Sequence, residues 1–237
     1  MDQTLTVPEP ALRLLVERGF DATSVDQLAG ALGMSRSTFF RRYGTKEDMV
    51  FSDMDPVIDA VQRQLAVPGR GIAERVSAAA LAVFDHHTSR PEASALRFRL
   101  VHEVPSLRDR ELVSTHRYER AFRRGIRAAL GVDPGLETAQ LGVVAYAAAV
   151  VAVHNAFLRS WLSDPDDTLR GRLSAELAQL AALFLPRIEG TGPVPDPAGG
   201  GRVVVAVADA GANTGEVIEA VRQALEAGDT PARPTHR

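Results

Sequence analysis

Between Gln27 and Lys46 the sequence has no acidic residue, yet Arg36, Arg41, Arg42 and Lys46 bring four positive charges into that stretch. Within it, Phe39 and Tyr43 stand one helical turn apart and can pack inward against Leu28 and Leu32. That leaves Arg36, Ser37, Thr38, Phe40, Arg41 and Arg42 on the outer face. Guanidinium forks and hydroxyls are the groups that hold phosphate oxygens and read the edges of base pairs. The chemistry to expect is recognition of double-stranded DNA; a solvated basic turn of an ordinary helical protein has the same spacing.

The elements that must position this face are legible as caps and stops. Ser24 to Gln27 fits a capping box, Leu28, Ala31 and Leu32 form an apolar stripe, and Gly33 ends that short helix. Ser35 caps the next, Arg36 to Tyr43, which Gly44 closes. Thr45 to Asp48 fits a second capping box, opening a long helix to about Ala66. In front stands a helix from about Pro10 to Arg18 that stops at Gly19. Two short capped helices joined by a glycine turn describe a helix-turn-helix, which lays its second helix in the major groove.

The whole chain offers no field that would do this work. Its 237 residues carry 27 basic and 30 acidic groups, a net charge of -3, so any nucleic-acid binding rests on the local patch. Of the basic residues 26 are Arg and one, Lys46, is Lys, so arginine abundance alone argues nothing. Without cysteine there is no disulfide framework, thiolate metal site or cysteine nucleophile. Met1 to Glu9 is acidic and poor in apolar residues, which excludes a signal peptide and makes the cytoplasm the expected location.

At these residues the sequence resembles a known family. Gly19-Phe20-Asp21-Ala22-Thr23-Ser24-Val25-Asp26-Gln27-Leu28-Ala29, Gly33-Met34-Ser35-Arg36-Ser37-Thr38-Phe39-Phe40-Arg41-Arg42-Tyr43 and Lys46-Glu47-Asp48 are similar to the DNA-binding region of tetracycline-repressor-like (TetR/AcrR) transcription regulators. The resemblance spans about residues 10 to 55. It implies a helical homodimer, usually a repressor, that binds a palindromic operator and whose body binds a small effector. The DNA-facing set it implies is Thr23, Ser24, Ser35, Arg36, Ser37, Thr38, Phe40, Arg41, Arg42 and Lys46. Phe40 departs from the family, which usually has a tyrosine there whose hydroxyl touches a phosphate; apolar contact with sugar or a thymine methyl is what a phenyl ring can offer. Lys46 falls on the family's recurring phosphate-contact position.

Behind the head, helical periodicity continues to about Ile188, with helices expected at Ile72 to Thr88, Ala93 to His102, Ser106 to Leu130, Glu137 to Leu162 and Thr168 to Leu185. The fold class is all-α. Three segments are expected: a helix-turn-helix domain over 1–55, a helical ligand-binding and dimerisation domain over 56–188, and a linker with a C-terminal extension over 189–237. In the extension Arg202 to Val207 reads as a strand and Thr214 to Ala227 as an amphipathic helix. Pairing across a dimer, covering by its own helix, and disorder are the alternatives for that strand.

Thr138 to Leu158 runs 21 residues without a charge, the length of a membrane span. It contains Gln140, His154, Asn155, Gly142 and seven Ala, a poor composition for insertion. Burial is the reading adopted, with no membrane, and the resemblance implies that the last two long helices form the dimer interface. Phe84, Phe98, Phe122, Tyr146, Phe157 and Trp161 are the candidate effector contacts, on helices expected to surround a pocket. Ten Arg against five carboxylates between Arg90 and Arg127 form either a solvated face or a site for an anionic, acyl-CoA-like effector. Adjacent His86 and His87 point to different helix faces, so no metal ligand set is assigned, and no motif for catalysis or a cofactor is present. The alternative to a regulator is a helical small-molecule-binding or enzymatic protein with a vestigial DNA-binding head.

Overall fold

The computed structural model describes residues 7–132 and 137–191, and the regular elements among them are all α-helices. In chain order they are α1 (Glu9–Arg18), α2 (Val25–Ala31), α3 (Arg36–Tyr43), α4 (Lys46–Val50), α5 (Met54–Leu65), α6 (Ile72–Thr88), α7 (Pro91–Glu103), α8 (Pro105–Leu130), α9 (Glu137–Ser163) and α10 (Thr168–Ile188). The described residues up to Glu189 form one compact unit. The expected strand Arg202 to Val207 and helix Thr214 to Ala227 lie outside the described residues.

Helices as short as α2 to α4 do not persist alone, so what holds them is capping and burial. Ser24 Oγ accepts from the Gln27 amide at 3.3 Å while the Gln27 side chain accepts from the Ser24 amide at 2.8 Å. Leu12, Leu15, Leu28, Phe39 and Met49 are fully buried together, and α7 and α8 close this core with Leu100, Val101 and Leu107. Full burial of such a side chain contributes about 1.5–3 kcal/mol. A second core fills the body, built from Val61, Val76, Phe84, Phe122, Ile126, Tyr146, Val150, Leu173 and Leu177 of α5, α6, α8, α9 and α10. Where α8 crosses α5 a Cβ on Gly125 would stand 2.5 Å from Leu65 Cδ1, so only glycine allows that approach.

One element differs from the sequence expectation. The helix opened by Thr45 does not run on to Ala66; it stops at Val50 and restarts at Met54. Phe51, Ser52 and Met54 donate to carbonyls three residues back, so the chain tightens through this joint. Pro56 supplies the physical reason. In an unbroken helix its ring would meet the carbonyl of Ser52, whereas in the first turn of α5 its missing N–H costs nothing.

Candidate nucleic-acid interface and the cavities behind it

Between α2 and α3 the chain turns at Gly33, whose φ of +63° is the left-handed conformation that glycine adopts without strain. Ser35 then caps α3, its Oγ accepting from the Thr38 amide at 3.2 Å and lying 3.0 Å from Ser37 Oγ and 2.9 Å from Thr38 Oγ1. Phe39 and Tyr43 pack inward with ring centroids 5.2 Å apart. Their burial turns Ser35, Arg36, Ser37, Phe40, Arg41 and Arg42 to solvent, with Ser24 exposed beside them and Thr38 half-buried. Arg36 Nη1 lies 3.1 Å from Asp26 and its guanidinium sits 5.6 Å above the Phe40 ring. An exposed pair of this kind is worth about 0–1 kcal/mol, so Arg36 can exchange the carboxylate for a phosphate or a guanine edge. Phe40 is 44% exposed, and its ring is the surface on which the Arg36 guanidinium rests. Arg42 lies 5.4 Å from the Tyr43 ring centroid, and Arg41 has no ion pair among the described residues.

Two residues of the expected set stand apart from this face. Thr23 is 1% exposed and its hydroxyl donates to the Gly19 carbonyl at 2.7 Å, closing the turn between α1 and α2. Lys46 is half-buried: its Nζ donates to Phe20 O at 2.8 Å and to Thr23 O at 3.1 Å, and it rests 4.5 Å from the Phe20 ring centroid. The ammonium is directed at the carbonyls of that turn, where it staples the start of α4 to the rest of the head.

Behind the head, α6, α8 and α9 surround a cavity with about 230 Å³ of empty space including its mouth. Ala80, Val83, Tyr118, Phe122, Val151, His154 and Asn155 line it. His154 Nδ1 lies 3.1 Å from Asn155 Oδ1, while its buried Nε2 has no hydrogen-bond partner. Burial pushes the imidazole down to about 4, so it is neutral at pH 7. Burial likewise raises the Tyr118 phenol above its ordinary range.

Of the six aromatic residues expected at an effector site, Phe122 lines this cavity and Phe84 meets the His154 ring edge-on at 6.3 Å. Tyr146 stacks on Phe184 at 5.7 Å, Phe157 lies under Arg172 at 5.9 Å, and Trp161 packs in the body core. Phe98 sits beside His102, 4.1 Å between centroids. Tyr118, His154 and Asn155 were not among the candidates. The signal for the last two was present as the polar His154-Asn155 pair inside a charge-free apolar helix.

A second cluster occupies the joint between α4 and α5. Asp53, 4% exposed, receives Arg97 Nη1 at 2.9 and 3.2 Å on its two oxygens, with His86 Nε2 at 2.8 Å. Arg97 Nη2 donates to His87 Nδ1 at 2.7 Å. Burial alone would raise the Asp53 carboxyl; Arg97 and the hydrogen bond from His86 outweigh it and hold the group well below the usual carboxylate range. Burial, then Arg97, push His87 well below 6.5. One donor atom from each of Asp53, His86 and His87 falls within 4.8 Å of the others, a spacing that metals accept. Arg97, however, reaches into the group and already supplies the cation it needs. The adjacency of His86 and His87 was visible in sequence, but Asp53 and Arg97, 44 positions apart, were not.

Residues 9–52 match the family model described as bacterial regulatory proteins, tetR family, and residues 70–185 match the MftR C-terminal domain. Among solved structures, the chain is similar to the TetR-family regulator PfmR from Thermus thermophilus, at 22% identity over 76% of this chain and 97% of that one, TM-score 0.48. NalD, the secondary repressor of the MexAB-OprM multidrug efflux pump in Pseudomonas aeruginosa, shares 15% identity over 78% and 96%, TM-score 0.50. AibR in complex with isovaleryl coenzyme A and operator DNA shares 16% over 74% and 95%, TM-score 0.41. At such identities the likeness is one of fold. No curated protein matches the sequence. The two family models together take in about two thirds of the chain, and on them this protein belongs to the TetR family of bacterial transcriptional regulators, with a DNA-binding N-terminal domain and a ligand-binding C-terminal domain.

Proposed function

We propose that this regulator binds a palindromic operator as a homodimer, as a repressor in the bacterial cytoplasm, and that the contacts come from Ser24, Ser35, Arg36, Ser37, Thr38, Phe40, Arg41 and Arg42. The observation that carries the assignment is the outer face of α3, where cations and hydroxyls are exposed, α3 itself carries no carboxylate, and the Asp26 carboxylate of α2 that meets Arg36 is exposed and readily exchanged. Functionally the head takes in residues 1–55 and the effector and dimer body 56–188, hinged at the joint between α4 and α5. Arg13 with Glu92 and Asp48 with Arg110 add ion pairs between head and body.

The dimer face we assign to α9 and α10. Leu141, Val144 and Leu183 on these helices are 63%, 42% and 55% exposed, large apolar groups left wet in a lone protomer. Ala139–Ser163 is long and apolar enough to cross a membrane, yet Val143, Tyr146, Val150 and His154 on it are buried against the protomer. A second copy on the remaining side supplies the cover such a helix needs. The effector we assign to the cavity between α6, α8 and α9. An anionic, acyl-CoA-like effector has to find its cations elsewhere than in this cavity, whose lining contains no arginine. Arg97, Arg99, Arg110 and Arg117, from the Arg-rich stretch, are already engaged by Asp53, Glu103, Asp48 and Asp55.

The test is selection of the full-length dimer against a pool of random duplexes. Enrichment of an inverted repeat, lost in a variant carrying Arg36→Ala and Arg41→Ala, supports the proposal. Absence of any sequence preference would refute it and favour a ligand-binding protein with a vestigial head.

A further inference from the structure

The cavity between α6, α8 and α9 carries one unusual feature, a buried acceptor with nothing to accept from. His154 is 6% exposed, and its Nδ1 faces the carboxamide oxygen of Asn155 at 3.1 Å. An amide oxygen only accepts, so the imidazole proton sits on Nδ1 and donates to Asn155. Nε2 is then a bare lone pair, buried and without a partner. Buried polar atoms in native proteins find partners in the great majority of cases, and an exception at a cavity wall points to a group that arrives from outside.

The surroundings define what that group can belong to. Ala80, Val83, Phe122 and Val151 make most of the wall apolar, Tyr118 adds a phenol ring with its hydroxyl, and no charged side chain lines it. A carboxylate or phosphate entering here would be desolvated with no cation to meet it. His154 offers none, since burial holds it neutral at pH 7. Phe84 stands edge-on to the imidazole at an interplanar angle of 89°, fixing the direction of the Nε2 lone pair, and Phe122 supplies an aromatic surface beside it. The cavity is narrow, its roughly 230 Å³ of empty space taking in the open mouth, so the group that reaches Nε2 belongs to a small molecule.

Resting on the assignment of this cavity as the effector site, we infer that its ligand is a compact, largely apolar molecule that donates a hydrogen bond and carries no negative charge, a phenol or similar alcohol, and that His154 Nε2 is the atom that receives the donor. Asn155 acts through His154 as a positioning residue, keeping the proton on Nδ1.

The experiment is titration calorimetry on the full-length dimer with 4-ethylphenol, its methyl ether 4-ethylanisole, 4-ethylbenzoate and isovaleryl-CoA. The phenol should bind at least tenfold more tightly than the ether, which has the same ring but no donor, and more tightly than either anion. In protein labelled with 15N-histidine, the Nε2 resonance of one neutral imidazole should move upfield on adding the phenol and stay in place with the ether. His154→Phe should bring phenol and ether within twofold of each other, and His154→Gln, which restores an acceptor, should recover part of the preference. The labelled wild type reads the contact even where a variant fails to fold. Equal binding of phenol and ether, or preference for benzoate or the acyl-CoA, overturns the inference and leaves the effector cavity standing. Failure of all four to bind removes the cavity as the effector site, and the inference with it.

Discussion

Removing Arg97 should strip a buried carboxylate of its principal counter-charge. In Arg97→Met the Asp53 side chain, 6% exposed, keeps the hydrogen bond from His86 at 2.8 Å and loses both contacts from the guanidinium. Breaking a buried pair from one side costs about 3–5 kcal/mol, about a fifth or more of the stability of an ordinary domain. Asp53→Asn combined with Arg97→Met removes the pair from both sides and should return to within about 2 kcal/mol of wild type, so the two changes are strongly non-additive. The readout is the urea midpoint at fixed protein concentration, with the slope unchanged, because a dimer's stability depends on concentration.

The sign of the pH dependence gives a second check. In wild type the Asp53 carboxyl lies below its unfolded value of 3.8, so its contribution is present above that pH and is lost as pH falls further. Without Arg97, burial dominates and the carboxyl moves up, so acid relieves the variant by protonating it. The gap between Arg97→Met and wild type should therefore narrow from pH 7 to pH 4. A single-variant cost below about 1 kcal/mol, strict additivity in the double variant, or a gap indifferent to pH would each refute this account of the joint.

Acid should also act through His154: its folded value of about 4 against 6.5 unfolded means the unfolded chain binds the proton first, so stability falls by about 2 kcal/mol between pH 7 and 5. His154→Gln should flatten that part of the denaturation profile. Leu183→Glu should give folded monomers by light scattering and circular dichroism, while Leu177→Glu, at a residue 2% exposed within the protomer's own core, should unfold the chain; a wild-type monomer at micromolar concentration would contradict the assigned face. Arg42→Ala should lower the logarithmic salt slope of operator binding by about 1.8, about 0.9 for each protomer of the dimer, with the melting temperature unchanged. Lys46→Met should instead keep the slope and lower stability by about 1–3 kcal/mol, since it removes two charge-assisted bonds to carbonyls; equal slope losses would restore Lys46 as a phosphate contact.

What could be read from sequence was whatever closes within about a turn of helix. Ser24 with Gln27, Ser35 with Thr38 and the glycine at position 33 settle their own geometry locally, so the helix-turn-helix and its outward residues were visible before any tertiary contact was known. The pairing of Phe39 and Tyr43 against Leu28 was visible for the same reason. Lys46 shows where that reasoning ends. Its position on the helix is local, but its direction is set by carbonyls 23 and 26 residues away, which no local pattern shows. Periodicity likewise marked Thr168 to Leu185 as a helix without telling that Leu177 is buried in the protomer and Leu183 left exposed.

The break before Pro56 joins these scales. A proline in a first turn is a local fact, and its consequence is that Asp53 leaves the helix axis at the one point where α6 and α7 can reach it with His86 and Arg97. One connection between the head and the body thus runs through a joint whose position is set by a backbone rule and which a buried ion pair holds, beside the core that α7 and α8 share with the head. The same cluster ties α6 and α7, through His86 and Arg97, to the first turn of α5.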